Sequence, residues 1–485
     1  MAAHQRQVGS PIPFVDPFVE RRPHLLIISH DVVDARMAGP GIRYWELART
    51  LARDQAVTLA VPERTGLQPE GFALVTFSAD DRETVLQVAR RADVLMPCGH
   101  TLELFPELAE LGRPVVIDGY DPFTVETLAL FAQAPADQQQ ANHAAAARRL
   151  ARQCVAGDFF ICASERQRDW WLGVLEASGR VNPRTYADDP SLRRLLDVVP
   201  FGLPSERPRH TRQALKGAVP GIASGDRVIL WGGGIWEWLD PLTLIQAMPR
   251  VLSRCPNARL IFPGSRHPNA EMPDMPMRAR AETLARQLGL LDGRVFFGDW
   301  VDYADWPNYL LEADVGVALH FDTLETRLAF RSRVLDYIWA GLPMVLTRGD
   351  ATSDLVRAHG LGHVVGYQDV AAVAEALVDL LDGDRHEWEP RFDAARRQLA
   401  WERAAGPLRA FCQAPRLAAD RRQESSAPAP NGSRGAVLES QLAEQAEELE
   451  RLRQLVAGYE QGHFIRLMQH IDRWRRRIGI GSSTI

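Results

Sequence analysis

Short, fully apolar runs alternate with amphipathic segments from Pro23 onward. HLLIISHDVV reads as a strand running out into polar residues. ARMAGPG follows as a small-residue loop, and IRYWELARTLAR as a helix with apolar positions three and four apart. AVTLAVP is the next strand, and the order repeats in ADVLMPC, TLELFPELAEL, RPVVIDGY, DFFICAS and ERQRDWWLGVLEA. Strands that are apolar throughout, alternating with helices, predict a parallel sheet covered on both faces.

The proline-rich stretch VVPFGLPSERPRHTR, near residues 198–212, breaks this pattern and reads as an interdomain linker. The alternation then restarts with DRVILWGGG, DPLTLIQAMPRVLSRC, ARLIFPGS, RVFFGDW, ADVGVALH, LPMVLTRGD and LVRAHGLGHVVGY. The amphipathic helix AAVAEALVDLLDG and a helix-like segment over 387–412 complete it. The expected architecture is α/β: two Rossmann-like, doubly wound parallel-sheet domains facing a central cleft. The expected boundaries are an N-terminal extension over 1–22, a first domain over 23–205 and a second over 206–416.

Gly, Ser, Pro and charged residues dominate 417–435, which predicts a flexible linker. Over 436–485 a helical tail is expected. Leu438, Leu442, Leu449, Leu452, Val456 and Tyr459 form a coiled-coil seam interrupted by Gln445, suited to a partner helix and most simply to a second copy of the chain. A second stripe, from Phe464 through Trp474 to Ile478, carries five arginines against Asp472 alone. That composition fits a helix lying on an anionic membrane surface, or equally one docked on its own protein.

Composition narrows the function. The chain has 485 residues, enough for two or three domains, and its 46% hydrophobic and 24% charged residues are those of a globular protein. A net charge of −6 and a pI near 6.1 argue against nucleic acid as a partner. Five cysteines without a CxxC pair argue against a disulfide framework or a zinc site and fit a reducing cytoplasm. No apolar stretch approaches the ~20 residues of a spanning helix, and the polar, proline-broken N-terminus lacks a signal-peptide core.

In doubly wound sheets ligands bind beyond the carboxyl ends of the strands, so chemistry is sought in the strand-to-helix loops. The first holds Gly39, Pro40, Gly41 and Arg43, either a phosphate-approaching loop or an ordinary tight turn. Gly232, Gly233 and Gly234 open the second domain immediately after a strand. They lack GxGxxG spacing, which argues against a nicotinamide dinucleotide. The densest cluster, LHFDTLETRLAFRSRVLDYIWAGLPMVLT, holds Glu325, Arg327, Arg331, Arg333 and Asp336. Carboxylates with guanidiniums suit a ribose and a diphosphate, since arginine makes forked bonds to phosphate oxygens. The same pattern also suits a solvated helix face with internal ion pairs.

DYIWAGLP followed by an apolar strand resembles the EAMAxGxPVV-type signature of family-4 (group 1) glycosyltransferases, and GPGIRYWELARTLA resembles their N-terminal glycine loop. FPGS, FFGDW and EADVGVAL fall in the family's order. Arg266 and Trp300, at the ends of the first two, join the candidate donor-binding set. The resemblance covers residues 25–412. It implies a GT-B fold, a nucleotide-sugar co-substrate held by the second domain, and a saccharide or lipid-linked acceptor held by the first. It further implies retention of anomeric configuration and no metal or other cofactor.

The sequence departs from the family at several positions. The family's paired glutamates fall on Leu328 and Asp336, with Glu325 three residues early. Its phosphate-binding lysine falls on Leu239, leaving Arg331 or Arg333 to replace the charge. Its catalytic histidine falls on Tyr120, beside Asp121, with His100 in the neighbouring CGH loop as a further candidate. The expected function is glycosyl transfer by a cytoplasmic enzyme, peripheral to the inner membrane face if the tail docks there. The alternatives are a catalytically silent nucleotide-sugar-binding scaffold, motivated by Leu239 and Leu328, and a sugar-nucleotide epimerase.

Overall fold

A computed structural model of the chain describes residues 22–62, 65–78, 82–264, 268–269 and 275–422. The expected N-terminal extension up to residue 21, most of the linker and the whole helical tail lie outside the described residues. Among those described, no helix is long and apolar enough to cross a membrane.

The first half contains β1 (His24–Ile28), β2 (Ala56–Pro62), β3 (Ala73–Phe77), β4 (Val94–Pro97), β5 (Val116–Asp118), β6 (Phe159–Cys162) and β7 (Leu196–Val198). They run in the order β3-β2-β1-β4 and then β5-β6-β7, and every pair is parallel. A bridge between Leu95 and Val115 joins the two pieces. β3 and β7 are absent from the sequence expectations for a physical reason. β3 lies on an edge with most of its residues partly exposed, and β7 has only three residues, so neither leaves a strong apolar run.

The second half holds β8 (Arg227–Trp231), β9 (Ala258–Phe262), β10 (Val295–Phe297), β11 (Val315–Ala318), β12 (Met344–Thr347) and β13 (Gly362–Val365), ordered β10-β9-β8-β11-β12-β13. All are again parallel. Strand order reverses between β1 and β4 in one half and between β8 and β11 in the other, and those two points mark where loops part and a ligand can enter.

The helix Ser332–Ala340 shows how the second sheet is held. Its C-terminus stops at Gly341, whose φ of +63° places it in the left-handed region that glycine tolerates. Pro343 follows, so the AGLP sequence ends the helix and aims β12. On its inner face the fully buried Tyr337 accepts a hydrogen bond from Gly232 N–H at 2.7 Å. Its own hydroxyl proton is shared between Val317 O at 2.9 Å and Leu230 O at 3.2 Å. One phenol thus joins β8, β11 and the glycine loop at the switch point.

The chain then returns. The helices Trp401–Ala404 and Gly406–Gln413, expected with the second domain, pack on the first half. Phe411 stacks on Phe159 with centroids 4.7 Å apart, and Arg409 meets Asp54. The linker expected from residue 417 is docked at its start: Ala418 N–H bonds Asp158, and Asp420 pairs with Arg180. Its polar composition reflects ion pairing rather than freedom there.

Replacing Tyr337 by phenylalanine leaves Gly232 N–H buried without an acceptor. The expected loss is about 1–3 kcal/mol of unfolding free energy, measured by urea denaturation. An unchanged midpoint contradicts the stitching role.

Candidate active site

A cavity of about 560 Å³ lies between the two halves, lined by the loops beyond the strand ends. The first half contributes His30 and Asp31 after β1, His100 after β4, and Tyr120 and Asp121 after β5. Across from them stand Gly232, Gly233 and Gly234 after β8, Gly264 after β9, Trp300 after β10, and Phe330, Arg331 and Arg333 beyond β11. Trp300 crosses the cleft, donating its indole N–H to Met37 O at 3.2 Å. Beside it Tyr303 N–H bonds Ala35 O at 2.8 Å, and Arg36 pairs with Asp302.

On the second-half wall Gly233 has φ +82°, a conformation that favours glycine and turns the loop's backbone toward the cavity. Arg333 leans over the Trp231 ring at 5.3 Å and donates to Gly234 O at 3.1 Å, while its Nη1 has no protein partner. Burial lowers its pKa to about 10, so it remains a cation at neutral pH. Asp336 also lines the cavity and accepts from Trp306 Nε1 at 3.0 Å. Burial pushes its carboxyl up to about 7.

Arg331 behaves differently from its neighbour two residues on. Both of its terminal nitrogens reach Glu325, at 2.8 and 2.7 Å, and its Nε lies 3.7 Å from Asp350. His320 stands 3.4 Å from the same aspartate. Glu325, only 2% exposed, is not among the cavity-lining residues, because both its oxygens face Arg331. A buried guanidinium requires such compensation. Glu325, expected as a donor contact, is held here in an internal ion pair, and Arg331 reaches the cleft already paired. Arg327 is exposed and outside the cavity lining, since the short helix Leu324–Leu328 turns it away. Arg266 lies outside the described residues.

On the first-half wall, Gly39 borders the cavity but Gly41 and Arg43 do not. A Cβ on Gly41 would stand 2.3 Å from Val32 O, so this glycine serves backbone packing. Arg43 is fully buried, paired through two nitrogens with Asp118 at 2.6 and 3.0 Å and donating to Val199 O and Pro200 O. The loop expected to approach phosphate instead uses its arginine to tie the helix Gly39–Leu51 to the end of β5.

Asp121 faces the cavity. Burial drives its carboxyl up to about 7 against the hydrogen bond from Tyr120. Glu126 is raised well above its ordinary range by burial, then by Asp121 and Glu325. His30 is a residue the sequence reading passed over. Its ring packs edge-on to both Tyr44 and His100, and burial lowers it to about 4, leaving a neutral imidazole. Its place directly after β1 is the signal that the strand-end rule could have used.

Leu239 and Leu328 are apolar in space as well as in sequence. Leu239 is 1% exposed and bridges His320, and Leu328 is 6% exposed beneath the helix start. Neither site can hold a charge aimed at the cleft.

Removing Glu325 with alanine leaves a buried guanidinium with only Asp350 within ion-pair distance. We expect a loss of about 3–5 kcal/mol in denaturant unfolding; an unchanged stability would return Glu325 to the ligand site. Asp336 gives a pH signature. Its folded-state pKa of about 7 exceeds its ordinary 3.8, so the stability it contributes is full below that value and is lost as pH rises through about 7. Asn at 336 removes the titration. The melting temperature of wild type relative to Asp336→Asn should fall between pH 4 and 7 and level off above. A pH-independent difference contradicts the burial.

Residues 226–383 match the family model described as glycosyl transferases group 1. No curated protein sequence matches the chain. Among solved structures, sucrose-phosphate synthase from Thermosynechococcus elongatus is 15% identical with a TM-score of 0.54, covering 80% of this chain and 97% of that one. HepE from Anabaena, in complex with UDP and glucose, is 12% identical with a TM-score of 0.55, covering 80% and 98%. The E. coli trehalose-6-phosphate structure bound with UDP-2-fluoro glucose is 14% identical with a TM-score of 0.54, covering 81% and 100%. Residues 226–383 thus match a group 1 glycosyltransferase domain, and the paired parallel sheets about an interdomain cleft have the GT-B fold of these structures.

Proposed function

We propose that the chain transfers a sugar from a uridine-diphosphate sugar to a hydroxyl of a saccharide or lipid-linked saccharide, with retention of configuration and without a metal. The observation that carries this reading is Arg333: a cation in the cavity wall beside three glycines, with Nη1 unpartnered. Charge develops on the departing diphosphate, and a fixed cation beside the glycine-loop backbone stabilises it without rearrangement. The nine-residue helix Ser332–Ala340 adds the positive end of its dipole at the same place. UDP and UDP-2-fluoro glucose in the two bound neighbours support the choice of nucleotide.

Asp121 faces the cavity from the opposite half and is the acceptor-side group in this reading. A carboxyl titrating near 7 can take a proton from, or orient, the incoming hydroxyl. Turnover should then rise as pH climbs through about 7, because only the ionised carboxylate accepts a proton.

One observation favours a second reading, a silent nucleotide-sugar-binding protein: Leu239 and Leu328 are buried where the family carries charge. The two readings separate in one experiment. UDP-glucose and other UDP sugars are titrated by calorimetry, and UDP release is followed with saccharide acceptors. Arg333→Ala should weaken donor binding by about 1.5–3 kcal/mol. Asp121→Asn should abolish turnover while donor binding persists. Wild-type donor affinity in a folded Arg333→Ala protein overturns the diphosphate site. Tight donor binding with no turnover in wild type favours the silent reading.

A further inference from the structure

Gln167 begins the first-half helix Glu165–Ala177 and is 1% exposed. Its side-chain oxygen accepts from Ala163 N–H at 2.6 Å. Its amide nitrogen donates to Tyr120 O at 2.7 Å and to Leu328 O at 2.8 Å. An N–H partner on one side and two carbonyls on the other allow only one orientation of the carboxamide. Its own backbone N–H bonds the Ser164 hydroxyl at 3.2 Å, fixing the helix start.

The two carbonyls belong to opposite halves of the molecule. Tyr120 directly precedes Asp121 in the first-half loop, while Leu328 opens the LAFRSR segment that delivers Phe330, Arg331 and Arg333 to the cleft. One carboxamide therefore spans the seam between the acceptor-side carboxyl and the donor-side cations. Both bonds are buried, so neither carbonyl has water as a substitute partner, and losing the amide frees both loops at once.

Resting on the transfer reading above, we propose that Gln167 is a positioning residue that fixes the separation of Asp121 from the Arg331–Arg333 segment and thereby governs the transfer step rather than donor affinity. It touches no substrate. Reacting atoms tolerate little misplacement, whereas donor binding depends on Arg333 and the glycine loop, which belong to one half and move together.

The test compares wild type with Gln167→Met, and with Gln167→Glu, which keeps the length and shape but supplies no donor when ionised. Amide hydrogen exchange is read over residues 119–126 and 326–333, and kcat and donor KM are measured with UDP sugars across pH. Both segments should lose protection together. kcat should fall by about tenfold to a hundredfold, donor KM should be unchanged, and the limb near pH 7 should move. Unchanged protection in either segment overturns the staple whatever the activity. Loss of protection with wild-type kcat per folded molecule overturns the positioning role. If wild type binds UDP sugars and turns none over, the transfer reading has failed, and the exchange result still decides whether Gln167 couples the loops.

Discussion

Three arginines line the cleft, and what the fold does with each charge decides what the cleft can be. Arg149 faces Glu103 at 3.0 Å and Arg331 is clasped by Glu325. Arg333, among the described residues, forms no ion pair; it donates to a carbonyl and lies over the face of Trp231, and Asp336 on the same helix acts on it electrostatically. A guanidinium in a wall this sheltered is costly unless a counter-charge arrives. The glycine loop beside it adds no side chain of its own between that cation and an incoming anion. Of the cavity's buried acids, Asp336 shares the second-half wall with Arg333, while Asp121 and Glu126 stand on the first-half wall with their carboxyls driven up by burial. The guanidinium of Arg333 and the carboxyl of Asp121 therefore face the cavity from separate walls.

That separation has consequences only if the two walls keep their distance. The halves are joined along one side by the loop around Trp300 and Tyr303, which grips residues 35–37, and along the other by Gln167. The returning helices after Trp401 add a third tie at the base, where Phe411 stacks on Phe159. The buried pairs Arg43–Asp118 and Arg331–Glu325 are of another kind. Each consumes a charge that sequence reading had assigned to ligand, and uses it to orient a loop.

This contrast shows which parts of the molecule were legible in the chain. β1, β4, β6, β8, β11 and β12 are apolar along nearly their whole length because helices cover both faces, and such runs cannot be mistaken. The glycine loop after β8 was equally visible, since three glycines in a row directly after a strand are rare outside loops that a ligand or another backbone approaches closely. Charge was not legible in the same way. In TLETRLAFRSR the spacing of acids and bases is the same whether a guanidinium faces solvent, a carboxylate or the cleft. The turn of five residues at Leu324–Leu328 sends Arg327 outward, Arg331 onto Glu325 and Arg333 to the cavity, and only the fold decides this. Gln167 was invisible for a related reason: its partners are backbone carbonyls, which every sequence contains.

Arg333 and the glycine loop are, in the reading proposed here, the seat of a diphosphate. The most direct measurement is a crystal structure of the protein with UDP. The account predicts the diphosphate against residues 232–234, with an oxygen about 3 Å from Arg333 Nη1, and the Arg331–Glu325 pair intact. A diphosphate bound instead by Arg331, with Glu325 displaced, or seated away from the glycine loop, would contradict it.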